Sequence, residues 1–113
     1  MKLAAVVAGA LVASLHTAAP ARLQVTAHEF SFGLSRASLK AGPAIVELVN
    51  FGEDPHDLRL QRVGARHIAG TPLVQAGDHY DLSLRLAPGK YVLWCSVADH
   101  RARGMHATIV VRR

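Results

Sequence analysis

The sequence predicts an all-β domain, a small sandwich of about seven short strands. Three observations carry that expectation. After the N-terminal apolar stretch, apolar and polar residues alternate with period two, while helical periodicity is nearly absent. The alternating runs are short and are punctuated by Gly, Pro and Asp, the residues of turns. The chain also has 113 residues with no repeat, low-complexity tract or linker, which is one domain's worth of sequence. An antiparallel or mixed β-sandwich satisfies all three.

The segment from Met1 to Ala21 stands apart from this pattern. Lys2 supplies a short positive region, Leu3 to Leu15 is an unbroken run of apolar and small residues, and Ala19-Pro20-Ala21 gives the small-x-small pattern of a signal peptidase site. The apolar run is well short of the about 20 residues a membrane-spanning helix needs. Positions 1–21 are therefore expected to be a secretory signal peptide cut after Ala21. Positions 22–113 are then the mature domain, periplasmic or secreted, meeting a membrane only if the leader is kept as an anchor.

The strands follow in order. LQVTAHEFSFGL (23–34) alternates well enough for one strand with a bend at Gly33. Ala41-Gly42-Pro43 introduces AIVELVNF (44–51), whose near-continuous β-branched and apolar character suits a central strand. DLRLQRV (57–63) alternates Leu58 and Leu60 with Arg59 and Gln61. The stretch 63–79 reads as an edge strand plus loops. In HYDLSLRL (79–86), Tyr80, Leu82, Leu84 and Leu86 share one face, and Pro88-Gly89 then makes a turn. KYVLWCS (90–96) follows as the second arm of an expected hairpin, and HATIVVRR (106–113) closes the domain.

Charge excludes one class of partner. Without Lys2 the chain has 12 Lys and Arg (13 less one) against 8 Asp and Glu. The basic residues (Arg36, Arg59, Arg66, Arg85, Arg101, Arg113) are scattered, with no run that would track phosphates, so no nucleic-acid partner is expected. A monomer is expected.

Cys95 is the chain's single cysteine, so no intramolecular disulfide can form, and a lone thiol in an oxidising compartment must be buried or coordinated. It opens CSVADHRARGM (95–105), a C-x4-H-x4-M loop between two strands. Thiolate, imidazole and thioether on one tight loop match copper, above all a site that accepts both Cu(II) and Cu(I); zinc prefers a closed set richer in Cys, His or carboxylate. A fourth donor must come from elsewhere. Of His28, His56, His67, His79 and His106, His56 is best placed. It lies in the turn NFGEDPHDL, far enough before Cys95 for two strands to intervene, so that the two loops can meet at one end of a sandwich. His106 competes with Met105, but neighbouring strand residues face opposite ways, and the spacing favours Met105. His28, Glu29, His67 and His79 are expected at the surface or in strands, with His28 and Glu29 an alternative second metal site.

The order NFGEDPHDL, then GKYVLWCSVADHRARGMHATIVV, resembles the cupredoxin family of small blue (type 1) copper proteins. The resemblance runs from Phe30 and Phe32 to the last strand. It implies a Greek-key β-sandwich, with His56, Cys95 and His100 as equatorial copper ligands and Met105 as a weak axial one. It also implies one-electron transfer between redox protein partners, and no enzyme activity. Where many relatives have Asn after the upstream histidine, this chain has Asp57. Its backbone N–H can still meet the sulfur, while its carboxylate and that of Asp99 favour Cu(II), opposed by Arg101 and Arg103. The ring edge of His100, carried on an exposed loop, is the expected electron port. Trp94 is expected to be a core aromatic or a second route. A Cu(I) carrier without redox shuttling, and a binding module with an unused site, are the competing functions.

Overall fold

The computed structural model describes residues 3–5, 9 and 19–113. The expected signal peptide and its cleavage therefore lie largely outside the described residues. Among those described, the chain forms nine strands and one helical turn: β1 Ala21–His28, β2 Ser31–Leu34, β3 Ser38–Lys40, β4 Gly42–Asn50, β5 Arg59–Arg62, β6 Ile68–Gly70, β7 His79–Leu86, β8 Gly89–Trp94, α1 His100–Arg103 and β9 His106–Arg112. Nine strands replace the seven of the sequence reading because 23–34 splits into β1 and β2, which fold back on each other with Val25 opposite Leu34. The short β3 adds the ninth. The stretch 63–79 holds only the edge strand β6 and an isolated bridge at Val74, as its weak pattern suggested.

The strands make two mixed sheets, ordered β2-β1-β4-β7 and β3-β9-β8-β5-β6. β1 runs parallel to β4, and β3 parallel to β9. One expectation fails here. β7 and β8 are not a hairpin: β7 pairs with β4 in the first sheet, and β8 with β5 and β9 in the second. The turn at Ala87-Pro88-Gly89 carries the chain across the sandwich, with Gly89 at φ 147°, a conformation that L side chains rarely adopt. Turn chemistry marks where a strand ends and is silent on which sheet the next one joins.

Period two fills the core. Leu23, Val25 and Ala27 of β1 and Ala44, Val46 and Leu48 of β4 face Leu60 of β5, Tyr91 and Leu93 of β8, and Ile109 and Val111 of β9. The same alternation sets the fate of the cysteine. Tyr91, Leu93 and Cys95 share the inward face, so the thiol points into the core end, while Trp94 points outward. Trp94 is therefore no core aromatic; it is half-buried on the outer face with the Arg101 guanidinium 4.6 Å above its ring. Leu93 is fully buried between the sheets. Leu93→Ala is expected to cost about 2–5 kcal/mol of stability, read as a lowered denaturant midpoint; an unchanged midpoint would contradict the packing described.

Candidate metal centre

Two loops at one end of the sandwich supply the donors. The first follows β4. Buried Asn50 shapes it, donating from Nδ2 to the carbonyls of Asp54 (2.8 Å) and Val74 (3.0 Å) and accepting from the Gly52 N–H (2.9 Å). His56 is then clamped by two backbone hydrogen bonds with Val74, at 3.0 and 2.8 Å. The second loop joins β8 to β9 and contains α1. Cys95 N–H donates to the Met105 carbonyl (3.1 Å) and Met105 N–H to the His100 carbonyl (3.1 Å), which draws the three residues together. Gly104 makes this closure possible. Its φ is 129°, and a Cβ there would lie 2.8 Å from the Phe30 carbonyl oxygen.

The donor atoms converge. His56 Nδ1 and His100 Nδ1 are 3.2 Å apart, and Cys95 Sγ lies 3.9 Å from the first and 3.7 Å from the second. Bond lengths of about 2.0–2.1 Å to imidazole nitrogen and about 2.3 Å to thiolate sulfur place such donors, in a trigonal set around one ion, roughly 3.5–3.6 Å (N to N) and roughly 3.8 Å (N to S) apart, within a few tenths of an ångström of the observed edges. The triangle therefore fits a single ion at its centre, and a thiolate with two imidazoles suits copper. Cys95 and His56 are fully buried and His100 is 6% exposed. Met105, also fully buried, ends the same loop, whereas His106 is exposed. Period two thus separates these neighbours as expected.

The outer faces of both imidazoles meet carboxylates. Glu29 Oε1 lies 2.9 Å from His56 Nε2, and Asp54 Oδ2 lies 3.7 Å from His100 Nε2. A carboxylate on Nε2 accepts its proton, which leaves the Nδ1 lone pair of His56 free to face the centre. Glu29 also accepts from the backbone N–H groups of Glu53 (2.9 Å) and Asp54 (2.7 Å), binding the end of β1 to the His56 loop. The Asp54 N–H, the His56 ring and the Glu53 N–H pull the Glu29 carboxyl down to about 2, against the effect of desolvation, so it is an anion in any neutral or mildly acidic solution. Burial pushes the Cys95 thiol up, opposed by the backbone N–H groups of Asp57 and Val97. A cation at the centre is what would release its proton.

Several expectations change in detail. Glu29 serves His56 and does not join His28, whose ring stacks on Phe51 with centroids 6.0 Å apart. The alternative second metal site at His28 and Glu29 is not assembled. Asp57 directs its carboxylate at the Ser96 N–H (2.7 Å) and hydroxyl and at Arg59 (3.3 Å), binding the two loops together. Asp99 pairs with Arg103 at 3.1 Å, so these two charges largely cancel locally. Phe30, unassigned by sequence, packs at 5.1 Å from the His100 ring and carries the Arg103 guanidinium on its other contact, 4.5 Å from its centroid. No local pattern announced the contacts of Glu29 with His56 or of Phe30 with His100. Glu29 is remote from His56 along the chain, and only the parallel β1–β4 pairing makes them neighbours.

No family model and no curated protein matches the sequence. Solved structures do match. A dithionite-reduced auracyanin from the photosynthetic bacterium Roseiflexus castenholzii is 16% identical with a TM-score of 0.69, over 85% of this chain and 100% of the other. Auracyanin A, a blue copper protein from Chloroflexus aurantiacus, is 16% identical with a TM-score of 0.66, over 83% and 100%. A purple cupredoxin from Nitrosopumilus maritimus is 19% identical with a TM-score of 0.57, over 79% and 98%. At these identities the likeness is one of fold: the chain has the cupredoxin fold, a β-sandwich with a His-Cys-His-Met group at one end.

Proposed function

We infer that the chain is an exported type 1 copper protein that carries single electrons between redox protein partners. Copper would be held by His56 Nδ1, Cys95 Sγ and His100 Nδ1, with the Met105 thioether as a weak axial donor. The observation that carries this reading is the buried triangle of one sulfur and two Nδ1 atoms with edges of 3.2, 3.7 and 3.9 Å. Bound copper supplies the one-electron couple. The chain contributes a rigid donor set on two cross-tied loops, so little has to move when charge changes. Burial also favours electron carriage over metal delivery, because ligand exchange with a recipient needs donors it can reach and Cys95 and His56 are fully covered. The same burial gives no room for a substrate, which supports a carrier and not an enzyme. Export rests on the leader-like stretch from Met1 to Ala21; among the described residues no helix is long and apolar enough to cross a membrane.

One spectrum tests the assignment. Cu(II)-loaded protein is expected to show an intense visible charge-transfer band with narrow copper hyperfine splitting. A colourless Cu(II) adduct that holds only Cu(I) tightly would favour the delivery reading. Met105→Leu is expected to keep the colour and raise the reduction potential, since a weak electron-rich donor to Cu(II) is lost. Complete loss of copper binding in that variant would show Met105 to be more than a weak axial ligand.

A further inference from the structure

The long free edge of the first sheet points to a function unconnected with the metal centre. We propose that the chain self-associates through β7, two copies pairing antiparallel about a two-fold axis at Ser83. β7 is eight residues long and, among the described residues, pairs only with β4, so its other side presents backbone N–H and C=O groups with no strand beside them. Long edges are usually blunted by proline, a bulge or an inward-pointing charge. β7 has no proline or inward charge: Tyr80, Leu82, Leu84 and Leu86 face inward, with Tyr80 39% exposed and Leu82 and Leu84 half-buried. Beside it a groove of about 370 Å³ opens between the two sheets, lined by Leu60, Ala69, Leu84, Leu86 and Tyr91 among others.

The outward face supplies the complementarity. Asp81 sits directly opposite Glu47, and like charges facing across strands repel. Among the described residues neither carboxylate is in an ion pair, and neither is Arg85. Arg22 and Arg36 border the same depression as Glu47 and Asp81 without forming one. Pairing about Ser83 sets Asp81 of each copy against Arg85 of the other, twice, and brings a cation to the Glu47–Asp81 pair. It also sets Leu82 against Leu84 and Tyr80 against Leu86. Moving the axis to Leu82 or Leu84 sets Asp81 against Ser83 or Ala87 instead, and the charges no longer match, so the register is specified. The arrangement is closed and isologous. His79 pairs with Val49, next to Asn50 and the His56 loop, so antiparallel docking sends the two metal-bearing ends in opposite directions. Both stay free for a partner. The monomer expected from sequence rests on nothing in β7.

A single-strand interface lies at the small end of specific interfaces, so the dimer is concentration-dependent. Sedimentation velocity over a concentration series is expected to show the mass doubling. Asp81→Arg and Arg85→Asp, each alone, bring like charges together and are expected to raise the dissociation constant about tenfold or more. An equimolar mixture of the two variants is expected to recover association as a heterodimer. A monomer at every concentration, single variants that associate like the parent, or a mixture that fails to recombine would each overturn the proposal, leaving the edge to solvent or to another protein's strand. Hydrogen exchange on the unmodified protein gives a test free of any folding defect. The β7 amides that point away from β4 are expected to slow as concentration rises, and unchanged exchange overturns the pairing.

Discussion

Cys95→Ser is expected to abolish the intense visible band of the copper-loaded protein while leaving the domain folded. The colour of such a centre comes from charge transfer out of a soft thiolate, and a hydroxyl is a harder, far less readily ionised donor. Nothing nearby can substitute. The chain has no second cysteine, and the remaining donors at the centre are His56, His100 and Met105. The fold should survive because the swap is nearly isosteric, and the new hydroxyl would lie among imidazole nitrogens that can accept its proton, now 3.7 and 3.9 Å from the sulfur. Far-UV circular dichroism of the metal-free variant should match the parent, and the Cu(II) visible spectrum should not. A variant that stayed intensely coloured would remove Cys95 from the centre and, with it, the type 1 assignment.

Glu29→Gln is expected to weaken copper binding by about 10- to 100-fold and to raise the reduction potential. The carboxylate holds the His56 ring from behind at 2.9 Å and gathers two loop N–H groups at 2.9 and 2.7 Å. The amide keeps the shape and one acceptor oxygen. It loses the charge that fixes the Nε2–H tautomer, and it removes a negative charge near the centre, which favours Cu(I) over Cu(II). Two readouts separate positioning from mere stabilisation of the loop. Copper affinity follows from competition with a chelator, and the midpoint potential from a redox titration. If both stay at the parent values, Glu29 is only a loop clamp. A fall in affinity without a change in potential would point to ring orientation alone.

Much of the site was legible in the primary sequence because its strongest signals are local. The alternation Tyr91, Leu93, Cys95 places the thiol inward whatever the other sheet does. Met105 and His106 are adjacent, so period two puts only one of them inside, and the buried one is Met105. The loop 96–104 is too short to carry His100 far from Cys95, although its helical turn, with Asp99 and Arg103 paired across it, was not anticipated. The failures have two causes. The expected hairpin of β7 and β8 and the unforeseen contact of exposed Glu29 with His56 each required knowing which strand lies beside which, whereas the core position given to Trp94 went against the same local alternation that turns Cys95 inward.

By itself, then, the sequence determined the strand faces, the loop bearing Cys95, His100 and Met105, and a histidine-bearing turn after a central strand. Those features depend on side-chain periodicity and on short chain lengths, which local chemistry sets. Only the tertiary structure decided that β7 and β8 belong to different sheets, that Glu29 stands behind His56, and that β7 is left as a free edge. Strand order and register bring together residues dozens of positions apart, and no local pattern encodes that adjacency.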